Sequence, residues 1–197
     1  MTRMHASFPF DLGARLERSD APLPDPGRLR HAAVLAILQP VAEAAPKVVL
    51  IERAGSLRAH AGQLAFPGGK PESVDATLVD TALREAEEEV GLPRTHAQVI
   101  GRLDSVPTPT GFLITPFVAW AREGWEPVAC SPEVHRILTP DFDLLRDPAI
   151  HRLTGRGVWE GIHYEMHEFA IHDPPLWGAT ARMMWDLLGR IRGEAAP

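Results

Sequence analysis

A single cysteine, Cys130, leaves this chain of 197 residues without an internal disulfide, so a reducing cytosol is the expected compartment. No apolar run reaches the roughly 18 residues that a membrane span needs. No apolar segment follows the first basic residues either, so no secretory leader and no membrane partner are expected. A basic excess is also missing. The formal charge of −6 argues against a general nucleic-acid binder. The nine histidines form no His-x-x-x-His pair on a helix, which makes a zinc site improbable, and no glycine-rich phosphate loop ending in Lys-Ser or Lys-Thr occurs. Internal repeats and low-complexity blocks are absent. What is there, 45% hydrophobic and 23% charged residues, is an ordinary soluble composition with length enough for one sizeable domain.

Along the chain, residues 1–29 read as a lead-in, with a short helix over 10–18 and a proline-rich stretch over 21–27 that resists regular structure. Residues 30–192 read as the main domain and 193–197 as a tail. Within the domain, 31–38 and 47–53 are apolar runs of buried-strand length, joined as a hairpin. Further strands are expected at 98–103, 112–120 and 162–169. In the last, Ile162, Tyr164 and Met166 alternate with His163, Glu165 and His167. Val79, Ala82, Leu83, Ala86 and Val90 mark one face of a helix over 76–90, closed by Gly91 and barred from continuing by Pro93. A short helix over 133–138 and a final helix over 177–192 complete the pattern. Strands interleaved with helices around one core predict an α/β class with a mixed sheet.

The most informative segment is Gly68-Gly69-Lys70 followed by Arg84-Glu85-Ala86-Glu87-Glu88-Glu89-Val90-Gly91-Leu92. Four carboxylates in five residues repel one another by a few tenths of a kcal/mol per neighbouring pair. A hard divalent cation would offset that repulsion and make a site from it. At about 100° per residue, Glu85, Glu88 and Glu89 fall beside the apolar stripe, while Glu87 points away as solvated charge. The two glycines let backbone approach a metal or phosphate where a Cβ would obstruct it.

Together these residues resemble the Nudix box: Gly, five residues, an acid, seven residues, then Arg-Glu-apolar-any-Glu-Glu-any-Gly-apolar. The second half matches from Arg84 to Leu92. In the first half Asp75 stands at the acidic position, and eight residues rather than seven separate it from Arg84. Its role is either that acid or simply the helix N-cap. Upstream, Arg53-Ala54-Gly55-Ser56-Leu57-Arg58 through Leu64-Ala65-Phe66-Pro67-Gly68-Gly69 is similar to the segment that marks the coenzyme A pyrophosphatase branch. The longer box with Asp is also typical of that branch. Ile51 and Arg136 depart from it, where Thr and an acid are usual.

The resemblance implies the Nudix α/β/α sandwich, with a mixed β-sheet between helices, and metal-dependent hydrolysis of a diphosphate linkage. Coenzyme A or an acyl-CoA would give 3′,5′-ADP and 4′-phosphopantetheine. Mg²⁺ or Mn²⁺ would be held by Glu85, Glu88 and Glu89 with the Gly69 carbonyl, and Arg84 would orient the acids. Glu133 either accepts the proton of the attacking water or only begins its short helix. Arg53, Arg58, His60 and Lys70 supply positive charge for substrate phosphates, or pair with nearby carboxylates. Cys130, with His135 five residues on, is read as a bland thiol. Other substrates stay open: ADP-ribose, dinucleotides or nucleoside triphosphates, and, as a minor alternative, a non-catalytic nucleotide-binding regulator. The expected partner is a small nucleotide, and a homodimer is kept open.

Overall fold

The computed structural model describes residues 12–42, 44–55, 62–159 and 161–192, with the backbone alone at 159 and 162. The elements in order are strands β1 (Arg30–Gln39), β2 (Lys47–Arg53), β3 (Leu64–Ala65) and β4 (Gly68–Gly69), then helix α1 (Leu78–Val90). Strands β5 (Ala97–Arg102), β6 (Val106–Thr108), β7 (Phe112–Ala121) and β8 (Val134–Leu138) follow, and then helix α2 (Phe142–Leu145). Strands β9 (His151–Trp159), β10 (Ile162–Phe169) and β11 (Leu176–Trp177) precede the last helix, α3 (Gly178–Arg192).

The main sheet runs β3-β2-β1-β7-β5, with β4 added to β1, β6 to β7 and β8 to β2. The long central pair, β1 and β7, is parallel from Arg30↔Phe112 to Leu38↔Trp120, and the other pairings are antiparallel. Both central strands are covered on two faces, which explains their near-continuous apolar sequence. From β1, Ala33, Leu35 and Ile37 face one core with Leu83, Ala86 and Val90 of α1; Ala36 and Leu38 face the other with Met184, Leu187 and Leu188 of α3. The result is an α/β sandwich with its mixed sheet between two helices. Among the described residues no helix is long and apolar enough to cross a membrane. A separate three-stranded sheet, β11-β10-β9, packs against α3.

Four expectations need correction. The stretch after Glu133 is strand β8, paired from Leu50↔Leu138 to Arg53↔Val134, because the open edge of β2 offers backbone partners that a short helix would forgo. The helix expected over 10–18 is, within its described residues 12–18, a 3₁₀ turn, Leu12–Arg15, followed by an isolated bridge of Glu17 to Arg102, while 10 and 11 lie outside the described residues; Leu12 is buried and Arg15 Nη1 donates to the carbonyls of Arg190 and Ile191 at the end of α3. On β10 the apolar face is inverted at its end. His167 is buried and Met166 is exposed, following a register shift between them. The N-cap of α1 is Thr77, not Asp75: its Oγ1 accepts the Asp80 N–H at 3.2 Å. At the other end Gly91 takes the left-handed conformation, φ 66°, that favours glycine there.

Candidate active site

The diglycine is dictated by close approach. Strand β4 lies against β1 with Gly68 opposite Val34 and Gly69 opposite Ala33. A Cβ on Gly68 would collide with the Ala33 carbonyl, and one on Gly69 would overlap the Glu85 carboxylate. The turn and the first glutamate of the helix are therefore packed directly together. The backbone N–H of Gly68 donates to Glu89 Oε2 at 2.9 Å and holds that side chain against the turn.

Arg84 is the hub of the helix face. Its Nε and Nη2 donate to Asp75 at 3.1 and 3.0 Å, and its Nη2 also reaches the Lys70 carbonyl at 3.1 Å. Its Nη1 lies 3.1 Å from both Glu85 Oε1 and Glu88 Oε2. The buried Asp75 also accepts from Thr81 Oγ1 at 3.0 Å and the Glu72 N–H at 2.9 Å. Those bonds, Arg84's first, pull the Asp75 carboxyl down to about 2. Asp75 thus anchors Arg84.

Glu89 behaves in the opposite way. It is 4% exposed, and burial pushes its carboxyl up to about 7 against the lowering effect of the Gly68 N–H. The negative charges of Glu85 and Glu133 add to the rise, while Arg53 opposes it. Glu85 is raised as well, first by burial, with Arg84 opposing. A buried carboxylate held near neutrality beside a second raised one is the electrostatic setting a cation relieves.

Residues 29–153 match the NUDIX domain family. The chain belongs to that family. An uncharacterized Nudix hydrolase named NudL, from Photorhabdus laumondii, is 35% identical over 176 residues, 86% of this chain and 91% of that protein. NudL of Yersinia enterocolitica is 43% identical over 174 residues, covering 85% and 87%. Among solved structures, the Nudix hydrolase RenU of M. smegmatis is similar at a TM-score of 0.51 and 26% identity, covering 66% of this chain and 81% of that one. Nudix hydrolases are pyrophosphohydrolases that generally use divalent metal ions, and this chain is an enzyme of that kind.

Around the Nudix helix, Arg53 ends β2 with its Nη2 3.4 Å from Glu133 Oε2, so of its two expected roles the structure displays the carboxylate pairing. Glu133 is about half exposed, stands just before β8, and accepts the Ala54 N–H on its carbonyl at 2.7 Å. Arg136 pairs with Glu52 across the β2–β8 strands. Lys70 turns its ammonium toward the Phe112 ring, 5.5 Å from the centroid, and Arg30 sits over the same ring at 4.3 Å. Arg30 went unnoticed in the sequence; its only signal is that the parallel register sets it opposite Phe112. Arg58 and His60 lie outside the described residues. Cys130 is exposed, and its Sγ lies beside the Val128 carbonyl.

Among the described residues no three acids or histidines are drawn together as a ready metal cage. Glu85 and Glu88 are instead engaged with Arg84, and Glu89 with Gly68. The donor set nevertheless fits a hard divalent ion: all carboxylate oxygens, with the missing Cβ of Gly69 leaving Glu85 against the turn backbone.

Proposed function

We propose that this Nudix enzyme hydrolyses the diphosphate linkage of coenzyme A or an acyl-CoA, releasing 3′,5′-ADP and 4′-phosphopantetheine, in a reducing cytosol. The observation that carries the substrate is where the branch-like segment is tethered. Its two ends meet, Arg53 N–H on the Gln63 carbonyl at 3.0 Å and Gly62 N–H on the Arg53 carbonyl at 2.9 Å, beside Glu133 and within the electrostatic reach of Glu89. The closing bonds of that segment therefore stand beside the acids rather than on a remote surface.

Glu85, Glu88 and Glu89, with the Gly69 carbonyl, would hold Mg²⁺ or Mn²⁺. The ion, when bound, neutralises the diphosphate and acidifies a water. Arg84, fixed by Asp75, keeps Glu85 and Glu88 pointing to one place and balances their charge until the ion arrives. Glu133 is solvent-accessible and steadied by Arg53, a position suited to accepting a proton from the attacking water. Arg53, Lys70 and Arg30 add positive charge for the substrate phosphates.

Purified protein with Mg²⁺ or Mn²⁺ is offered coenzyme A, acyl-CoA, ADP-ribose and NADH, and products are identified by mass spectrometry. Coenzyme A should yield 3′,5′-ADP and 4′-phosphopantetheine. Turnover of ADP-ribose with none of coenzyme A would sink the substrate assignment.

A further inference from the structure

A cavity of about 330 Å³ lies on the α3 side of the sheet, between that helix, the β9–β10 hairpin and the loop joining β5 to β6. No residue of the Nudix box lines it. Its size falls within the usual range for small-molecule pockets.

One wall is built to present an aromatic face. Tyr164 of β10 stands opposite Gly157 of β9, and a Cβ on Gly157 would come within 2.5 Å of the Tyr164 Cζ. Glycine there lets the ring lie down on the neighbouring strand, one side on backbone and the other toward the cavity. Deeper in, Trp185 and His167 are stacked at 5.0 Å between ring centroids, and His151 stacks on Trp185 at 4.1 Å.

The charges of the lining are unevenly satisfied. Asp104 and Asp186 are both held by Arg190, at 2.9 and 3.0 Å. Glu165 is held by Arg156 at 2.9 Å. Arg182 remains, and among the described residues no carboxylate pairs with it. A cation left over beside an open aromatic face suits a ligand that carries both a heteroaromatic ring and a phosphate.

One hydrogen bond joins the cavity lining to the central strands beside the β4 turn. Ser105, in its lining, has its Oγ 3.0 Å from Thr115 Oγ1. Thr115 is in register with Ala33, and Ala33 with Gly69. Two strand spacings, about 10 Å, therefore separate Thr115 from the turn that Glu85 packs against.

We propose that this cavity takes the adenosine 3′-phosphate end of the substrate, with the base against Tyr164 and the 3′-phosphate on Arg182. The assignment rests on the coenzyme A reading above.

Calorimetric titrations with EDTA present would use 3′,5′-ADP, 5′-AMP and 4′-phosphopantetheine as probes. Arg182→Gln should weaken 3′,5′-ADP about tenfold or more while changing 5′-AMP by less than about twofold, because only the former carries the 3′-phosphate. Arg182→Lys should recover part of the loss. Tyr164→Leu should weaken both nucleotides by about tenfold, with 4′-phosphopantetheine unaffected by any variant. Equal weakening of 3′,5′-ADP and 5′-AMP by Arg182→Gln, loss of 4′-phosphopantetheine instead, or no binding of 3′,5′-ADP by the wild-type protein would each overturn the assignment. Circular dichroism establishes that each variant is folded. If this binding pattern holds while coenzyme A is not hydrolysed, the substrate reading fails and the cavity assignment stands.

Discussion

At the scale of single residues, the site divides between one carboxylate pulled down and another pushed up. Asp75 is a structural anion bound by Arg84, Thr81 and the Glu72 N–H. Asp75→Asn keeps the size but removes the charge, leaving the Arg84 guanidinium with a weaker partner. We expect a loss of about 1–3 kcal/mol in thermal or urea unfolding. Because Arg84 also holds Glu85 and Glu88, kcat should fall while KM for coenzyme A changes little. A rise in KM alone would mean that Asp75 serves the substrate rather than the acids. Gly69→Ala tests the opposite side of the same contact. Its Cβ has no room beside Glu85. Activity should drop by roughly 10²-fold with the fold retained; full activity would mean that Glu85 need not lie where it does.

At the scale of elements, α1 was largely legible from the chain. Its apolar spacing marked the buried face, and Gly91 marked the end. The start was misplaced because both Asp75 and Thr77 suit an N-cap by chemistry, and only the reach of Arg84 decides between them. Thr77→Ala should cost about 1 kcal/mol in denaturant unfolding, and no loss at all would mean that Thr77 is not the cap. Strand β8 was read as a helix, since five residues carry too little periodicity to outweigh the pull of an open sheet edge. Strand β9 was missed for a related reason. Its sequence, HRLTGRGVW, trades apolar side chains for the glycines over which Tyr164 and Met166 lie. Pairing across strands, which creates both elements, is not written in either segment alone.

At the scale of the whole molecule, the two helices cover opposite faces of one sheet, and the acids sit where α1 meets the β4 turn. The cost of gathering them is spread over the fold. Glu89 carries a raised carboxyl, about 7 in the folded chain against 4.5 as the ordinary value. Between those pH values the folded state binds the extra proton, so stability falls as pH rises through the window. The effect is at most about 3 kcal/mol. The lowered Asp75 carboxyl acts at the other extreme, adding stability that disappears as pH falls from the ordinary carboxylate range through about 2. With EDTA present, the melting temperature should decline from pH 5 to pH 8, and Mg²⁺ or Mn²⁺ should restore it at the upper end. A melting temperature independent of both pH and metal would remove the strain argued for Glu89.

Glu89→Gln joins these scales in one variant. The amide can still accept the Gly68 N–H but cannot carry the charge. Turnover of coenzyme A, measured with saturating Mg²⁺ beside the EDTA-treated melting temperature at pH 8, is the most direct measurement. We expect turnover to fall by roughly 10²-fold or more while the metal-free protein melts higher than wild type. A near-wild-type rate, or a fall in both rate and melting temperature, would contradict Glu89 as the buried acid that waits for a cation.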